Sequence, residues 1–218
     1  MMRQDRPSPT VAAAILAGGE GRRMGHAAKG ELTFRGERFL DRIARQLSGY
    51  PERLLSLRTL ENAPKCDGFT PVADRFYDCG AISGIYTSLS ACRADYLQVV
   101  GCDMPLFTAG LGQYLSLFLC PDYDVFLPLD RAGREHPLCG IYSKRALPVL
   151  EEHLRQKDFR LMAALGELRV KRIPLYHSIY PDECLTNINT PEDLQRLLEE
   201  APELLSRIPA PPPGTVLL

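Results

Sequence analysis

The chain has 218 residues, 45% hydrophobic and 24% charged, with a net charge of −1. That length suits one domain with a sizeable core, and the near-neutral charge offers no electrostatic case for nucleic acid or an anionic membrane surface as partner. No apolar run approaches the roughly 20 residues of a membrane span, and the polar, proline-bearing segment 1–10 is not a secretory signal.

In chain order, residues 11–16 form a β-type apolar run. Helical spacing follows over 39–47, with Leu40, Ile43, Ala44 and Leu47 on one face. Short strands are expected at 54–57 and 69–72, a helix at 82–92, and a buried strand at 96–100 that stops at Gly101. Strands at 125–127 and 138–142, a helix at 146–154, a strand at 170–173 and a helix at 191–198 complete the series. Strands alternating with helices predict an α/β sandwich of three layers around a mainly parallel, mixed sheet, as one domain over 11–200. There is no internal repeat. Segments 1–10 and 201–218, the latter proline-rich, are expected to be flexible or docked termini. The seven cysteines stand singly, with no Cys-x-x-Cys pair, and read as reduced cytosolic thiols in a cytoplasmic protein rather than a zinc site or disulfide framework.

Three stretches carry chemistry. The first is AAAILAGGEGRRMGHAAKG, residues 12–30. A buried strand runs into Ala17-Gly18-Gly19, at the end of a sheet where open α/β folds bind ligands. Glycines let a ligand approach the backbone and free its amide donors, and Arg22, Arg23 and Lys29 add three cations, which together suit a polyphosphate. It is not a Walker A loop, because Gly30 follows Lys29 where Ser or Thr is required. It is not the dinucleotide fingerprint either, because Met24 stands in place of the third glycine. A glycine-rich surface turn with solvated arginines would share this composition.

The second stretch is VVGCDMP, residues 99–105, in which a buried strand ends in Asp103 on a turn stiffened by Pro105. A carboxylate there can hold Mg²⁺ against phosphates, or cap the turn. The third is LTNINTPED, residues 185–193. Thr190-Pro191-Glu192-Asp193 has the order of an N-cap, a first-turn proline and first-turn acids. Asn187 and Asn189 share one face of an extended segment, to line a cleft or to satisfy backbone groups.

Taken with HPLCGIYS, residues 136–143, these stretches resemble the molybdenum cofactor guanylyltransferases (MobA type) of the GT-A-like nucleotidyltransferases, over residues 11–198. The resemblance implies a Rossmann-like nucleotidyltransferase fold and Mg²⁺-dependent transfer of GMP from GTP to the terminal phosphate of molybdopterin, with loss of pyrophosphate. It implies that Leu16, Ala17, Gly18 and Gly19 meet the nucleoside and that Arg22 or Arg23 meets the β- and γ-phosphates. Lys29 then holds the phosphates at the reacting centre, Ser56 lies near the base, and Asp74 contacts the nucleotide. Asp103 is the implied Mg²⁺ ligand, and His136, Asn187 and Asn189 lie on the molybdopterin side. Lys29, Asp103 and Arg22 are the implied catalytic set. Cofactor-delivery proteins or apo-molybdoenzymes are the implied protein partners. Ser56 stands where many members carry asparagine, Ala28 where Asp is frequent, and Ala81-Ile82-Ser83-Gly84 where the family has Gly-Pro-Leu-x-Gly. The same motifs would serve CTP, another phosphate or sugar-phosphate acceptor, or a non-catalytic GTP-binding delivery protein.

Overall fold

A computed structural model describes residues 9–19 and 29–209. Strand β1 (Val11–Leu16) is apolar throughout, and both of its faces are covered, as a central strand of a parallel sheet requires. Ala13 and Ile15 face one side, and Ala12 and Ala14 the other. On the first side lie α1 (Phe39–Gln46) and α3 (Ala109–Ser116). On the second lie α2 (Ala81–Ala91), α4 (Leu147–Arg155) and α5 (Leu161–Gly166). The result is the expected α/β sandwich of three layers.

The other strands of the main sheet are β4 (Arg53–Leu57), β5 (Thr70–Ala73), β6 (Tyr96–Gly101), β7 (Val125–Leu129), β8 (Ile141–Ser143) and β9 (Val170–Pro174), while β2 (Thr33–Phe34) and β3 (Glu37–Arg38) make a separate hairpin. Among the described residues the sheet has seven strands in the order β5-β4-β1-β6-β8-β7-β9. Every neighbour pairing is parallel except those of β8 with β6 and β7. The register sets Leu16 opposite both Ser56 and Gly101, and Leu57 opposite Ala73. The carboxyl ends of four parallel strands are therefore level. Hydrogen bonds from Ala17 N to Ser56 O (2.8 Å), Asp74 N to Leu57 O (2.8 Å) and Cys102 N to Leu16 O (3.1 Å) carry the ladder one residue further. The backbone that follows each strand thus starts from one fixed edge.

Several boundaries differ from expectation for physical reasons. The stretch 138–142 is not one strand. A 3₁₀ turn, Pro137–Cys139, precedes a short antiparallel β8, because Pro137 has a fixed φ and no N–H for a ladder. Helix α3 carries Gly110 and Gly112, which lower helix propensity. A Cβ on Gly110 would stand 2.5 Å from the Tyr180 hydroxyl, and one on Gly112 2.7 Å from that of Tyr50, so packing chose those glycines. The β2–β3 hairpin turns on Arg35 and Gly36, both at positive φ (53° and 82°), the pairing a tight right-twisted hairpin needs. The last helix, α6, runs Pro191–Arg207, past the expected end at 198. Leu197, Ala201 and Leu204, spaced by four and three, bury against Phe34, Phe39, Leu106 and Ile188 and carry it through Pro202. Its start follows the sequence: Thr190 and Asp193 form a reciprocal capping box before Pro191. Among the described residues no helix is long and apolar enough to cross a membrane.

Candidate active site

A cleft opens along the level strand ends. Leu16, Gly18, Gly19, Ser56, Asp74 and Asp103 all line it, so six of the residues singled out in the sequence converge from β1, β4, β5 and β6. Ala17 borders an adjoining surface hollow that Gly18 and Gly19 also line. Lys29 opens a 3₁₀ turn, Lys29–Glu31. Arg22 and Arg23 lie outside the described residues.

At one end of the cleft the Ser56 hydroxyl donates to Asp74 Oδ1 at 2.9 Å. Burial pushes the Asp74 carboxyl up from 3.8 to about 6, against the smaller opposing pull of the Ser56 hydrogen bond. Two glycines make room for the pair. A Cβ on Gly84, in the first turns of α2, would stand 2.9 Å from Ser56 Oγ and 3.2 Å from Leu16 Cδ2. A Cβ on Gly18 would stand 3.2 Å from Asp74 Oδ2 and 3.2 Å from the Arg58 backbone nitrogen. Gly18 is not at positive φ, so close approach, not backbone strain, is what demands glycine there. A half-buried carboxylate beside a glycine-lined slot can accept hydrogen bonds from a base that presents paired N–H donors.

At the other end stands Asp103, 8% exposed. Its carboxylate turns back over the strand end, where a Cβ on Gly101 would lie 2.7 Å from Oδ1. Asn187 Nδ2 donates to that same Oδ1 at 2.9 Å, and the Ile188 N–H to the Asp103 carbonyl at 2.8 Å. The late Asn-Ile-Asn segment is thereby fastened to the end of β6. Among the described residues no three His, Cys, Asp or Glu side chains gather as a metal cage. A single oriented carboxylate fits Mg²⁺, which keeps several waters and is held by one or two carboxylates together with substrate phosphates.

Asn187 also lines a second, larger cleft of about 880 Å³, which His136 lines too. The two clefts thus meet at the Asp103–Asn187 pair. Asn189 lines neither cleft, and its backbone N–H donates to Asp193 Oδ2 at 2.9 Å, extending the α6 cap. Structure alone adds further residues. Arg58 and Asp78 form a 3.0 Å ion pair on the wall of the first cleft. Arg58 lies just beyond a strand end, and the rule that singled out Gly18 and Asp103 would have found it. Asp130, Arg131, Asp182 and Arg196 line the second cleft. They come from separate loops and α6, and no sequence spacing links them.

The model of the MobA-like NTP transferase domain family matches residues 13–171, from β1 into β9. The chain belongs to this family. A relative from Desulfosudis oleivorans, named molybdenum cofactor guanylyltransferase, is 30% identical over 192 residues, covering 85% of this chain and 93% of its own. The crystal structure of molybdopterin-guanine dinucleotide biosynthesis protein A from Archaeoglobus fulgidus superposes with a TM-score of 0.74 at 23% identity, over 88% of this chain and 99% of that one. A Mycobacterium tuberculosis protein crystallised with manganese has the same fold, with a TM-score of 0.59 at 19% identity, over 87% of this chain and 98% of that one. Membership makes the chain a nucleotidyltransferase, and the cleft at the strand ends sits where that activity belongs in an open α/β sheet.

Proposed function

We propose that this nucleotidyltransferase, a single catalytic domain over residues 11–200, transfers GMP from GTP to the terminal phosphate of molybdopterin and releases pyrophosphate. The observation that carries the reading is the half-buried Asp74 carboxylate, braced by Ser56 beside Gly18. Guanine presents N1–H and N2–H side by side, and an ionised carboxylate accepts both. Cytosine lacks that donor pair. The 30% relative named for guanylyl transfer supports the same choice.

GTP then lies along the strand ends, with its base at Asp74 and its phosphates towards the Gly18–Gly19 loop, Arg22, Arg23 and Lys29. These cations and the loop amides offset the triphosphate charge. The acceptor occupies the second cleft, between His136 and Asn187. Its terminal phosphate oxygen attacks the α-phosphorus in line. A new P–O bond forms, the α–β bridging P–O bond breaks, and its electron pair leaves with pyrophosphate. The attacking oxygen is already anionic, so the step needs no side-chain base. Asp103 would hold Mg²⁺, with Asn187 fixing the orientation of its carboxylate, and the bound ion would supply charge neutralisation at the α-phosphate and the departing pyrophosphate. Alignment of the two phosphates by the meeting clefts provides much of the remaining acceleration.

The test is pyrophosphate release with purified protein, Mg²⁺, molybdopterin and either GTP or CTP. Release with GTP that depends on molybdopterin is expected. Equal use of CTP overturns the guanylyl assignment, release with a sugar 1-phosphate but not molybdopterin overturns the acceptor, and binding of GTP without turnover overturns catalysis.

A further inference from the structure

The turn that leaves β7 is built around one buried carboxylate. Asp130 is 2% exposed. Its Oδ1 accepts the Arg134 backbone N–H (2.9 Å), and its Oδ2 accepts Arg134 Nε–H (2.7 Å) and faces His136 Nε2 at 3.2 Å. Backbone hydrogen bonds from Asp130 N to Arg134 O (3.1 Å) and from Gly133 N to Asp130 O (3.0 Å) close the turn, with Gly133 at φ +77°. The His136 N–H returns to Pro128 O at 3.2 Å, so the histidine is tied to the strand on one side and to the carboxylate on the other.

Burial acts to raise the Asp130 pKa. The hydrogen bonds from Arg134 and His136 outweigh it and bring the group to about 2. At neutral pH Asp130 is therefore an anion that can only accept, and the hydrogen between it and His136 belongs to Nε2. Ring orientation and tautomer are both set from behind. The edge left for a ligand is Nδ1, which has no partner among the described residues. His136 is 17% exposed at its side chain, and it lines the second cleft together with Asp130, Arg131 and Asn187.

We propose that Asp130 is a positioning residue for the acceptor: by taking Nε2–H of His136 it turns Nδ1 towards the acceptor, whose phosphate monoester end is bound there. This rests on reading the second cleft as the acceptor site. Nδ1, the ring nitrogen that keeps its lone pair when Nε2–H is given to Asp130, accepts a hydrogen bond from a phosphate oxygen of the acceptor that carries a proton. No covalent bond changes. A carboxylate that orients a histidine in this way affects the ligand the histidine holds and leaves the nucleotide, bound at Asp74 on the far side of Asp103, untouched. Structural support of the turn alone would make no such distinction between the two substrates.

The experiment has two arms. In the first, long-range ¹H–¹⁵N spectra of the full chain report the tautomer of His136, assigned by loss of its signal in His136→Gln from among the four histidines. Wild type is expected to show Nε2–H. Asp130→Asn, which places an amide donor against Arg134 and the ring, is expected to shift the population to Nδ1–H. In the second arm, Asp130→Asn is expected to raise the KM for molybdopterin about ten- to a hundredfold, the cost of a lost hydrogen bond to a charged ligand, with the KM for GTP unchanged. His136→Gln leaves the Asp130–Arg134 turn in place and serves if Asp130→Asn folds poorly. Adding Asp130→Asn to His136→Gln is expected to cost little more than His136→Gln alone. Nδ1–H in the wild type, equal rises in both KM values, or a fully additive double variant overturns the proposal. Turnover of GTP that does not respond to molybdopterin overturns the acceptor reading instead, and the spectra still decide the Asp130–His136 couple.

Discussion

Asp74→Asn tests the base pocket through stability and recognition together. Burial lifts the Asp74 pKa from 3.8 to about 6, so the folded chain holds a proton there more tightly than the unfolded chain does. Below about pH 4 the group is protonated in both states and has no effect. As pH rises from about 4 to about 6 the unfolded chain ionises first, and the folded state loses stability until both are ionised. The difference between 3.8 and about 6, at ~1.36 kcal/mol per pH unit, sets an upper limit of about 3 kcal/mol at pH 8 and roughly half of that at pH 5. Asparagine keeps the shape and the Ser56 partner and removes the charge. The variant is expected to be more stable than wild type at pH 8 by about 1–3 kcal/mol, a rise in Tm of roughly 3–10 °C for a chain of this size, with the gain shrinking as pH falls towards 5. The same variant is expected to lose at least a hundredfold in kcat/KM for GTP, because an amide donor then faces the guanine N–H edge and leaves it unpaired. Calorimetry at pH 5 and pH 8 checks the first expectation and nucleotide kinetics the second. An unchanged Tm at pH 8, a gain independent of pH, or GTP kinetics within a few-fold of wild type would refute the assignment of Asp74.

Gly18→Ala puts a methyl 3.2 Å from Asp74 Oδ2 and 3.2 Å from the Arg58 nitrogen. The carboxylate must yield by a few tenths of an ångström, and kcat/KM for GTP should fall by about ten- to two-hundredfold while use of CTP holds or rises; an unchanged GTP-to-CTP ratio argues against Gly18 at the base. Asp103→Ala should abolish transfer with the fold intact, since the backbone tie to Ile188 survives, and circular dichroism alongside the pyrophosphate assay separates lost chemistry from lost structure. Asn187→Ala, which frees the Asp103 carboxylate from its 2.9 Å restraint, should lower kcat by about ten- to a hundredfold and shift Mg²⁺ dependence to higher concentration; a normal Mg²⁺ titration would disconnect the two residues. Binding of GTP should weaken as salt rises, since charge contacts to Arg22, Arg23 and Lys29 dominate a polyphosphate site, and salt-independent titration calorimetry would remove those cations from it.

Much of this protein is written locally in its sequence. The run 11–16 is apolar at every position and reads as a strand buried on both faces, as it is, and the glycines and Asp103 that follow strands mark the ligand edge by the logic of open α/β sheets. Thr190, Pro191 and Asp193 specify a helix start by bonds that span three residues, and the structure builds that cap as the sequence reads. What tertiary structure alone decided involves groups far apart in the chain. Helix α6 outruns Pro202 because Ala201 and Leu204 find a core made by Phe34, Phe39, Leu106 and Ile188, which come from distant parts of the chain. Glycines occur inside α3 because the rings of Tyr50 and Tyr180 fill the space that side chains would occupy. Asn187 reaches Asp103 across 84 positions, and Asp130, Arg131, Asp182 and Arg196 share a cleft with no spacing to announce it. Periodicity and capping act over a few residues, so sequence displays them. A cleft wall depends on which loops the sheet order brings together, and that order is set only when the strands pair and the two faces of the sheet are packed.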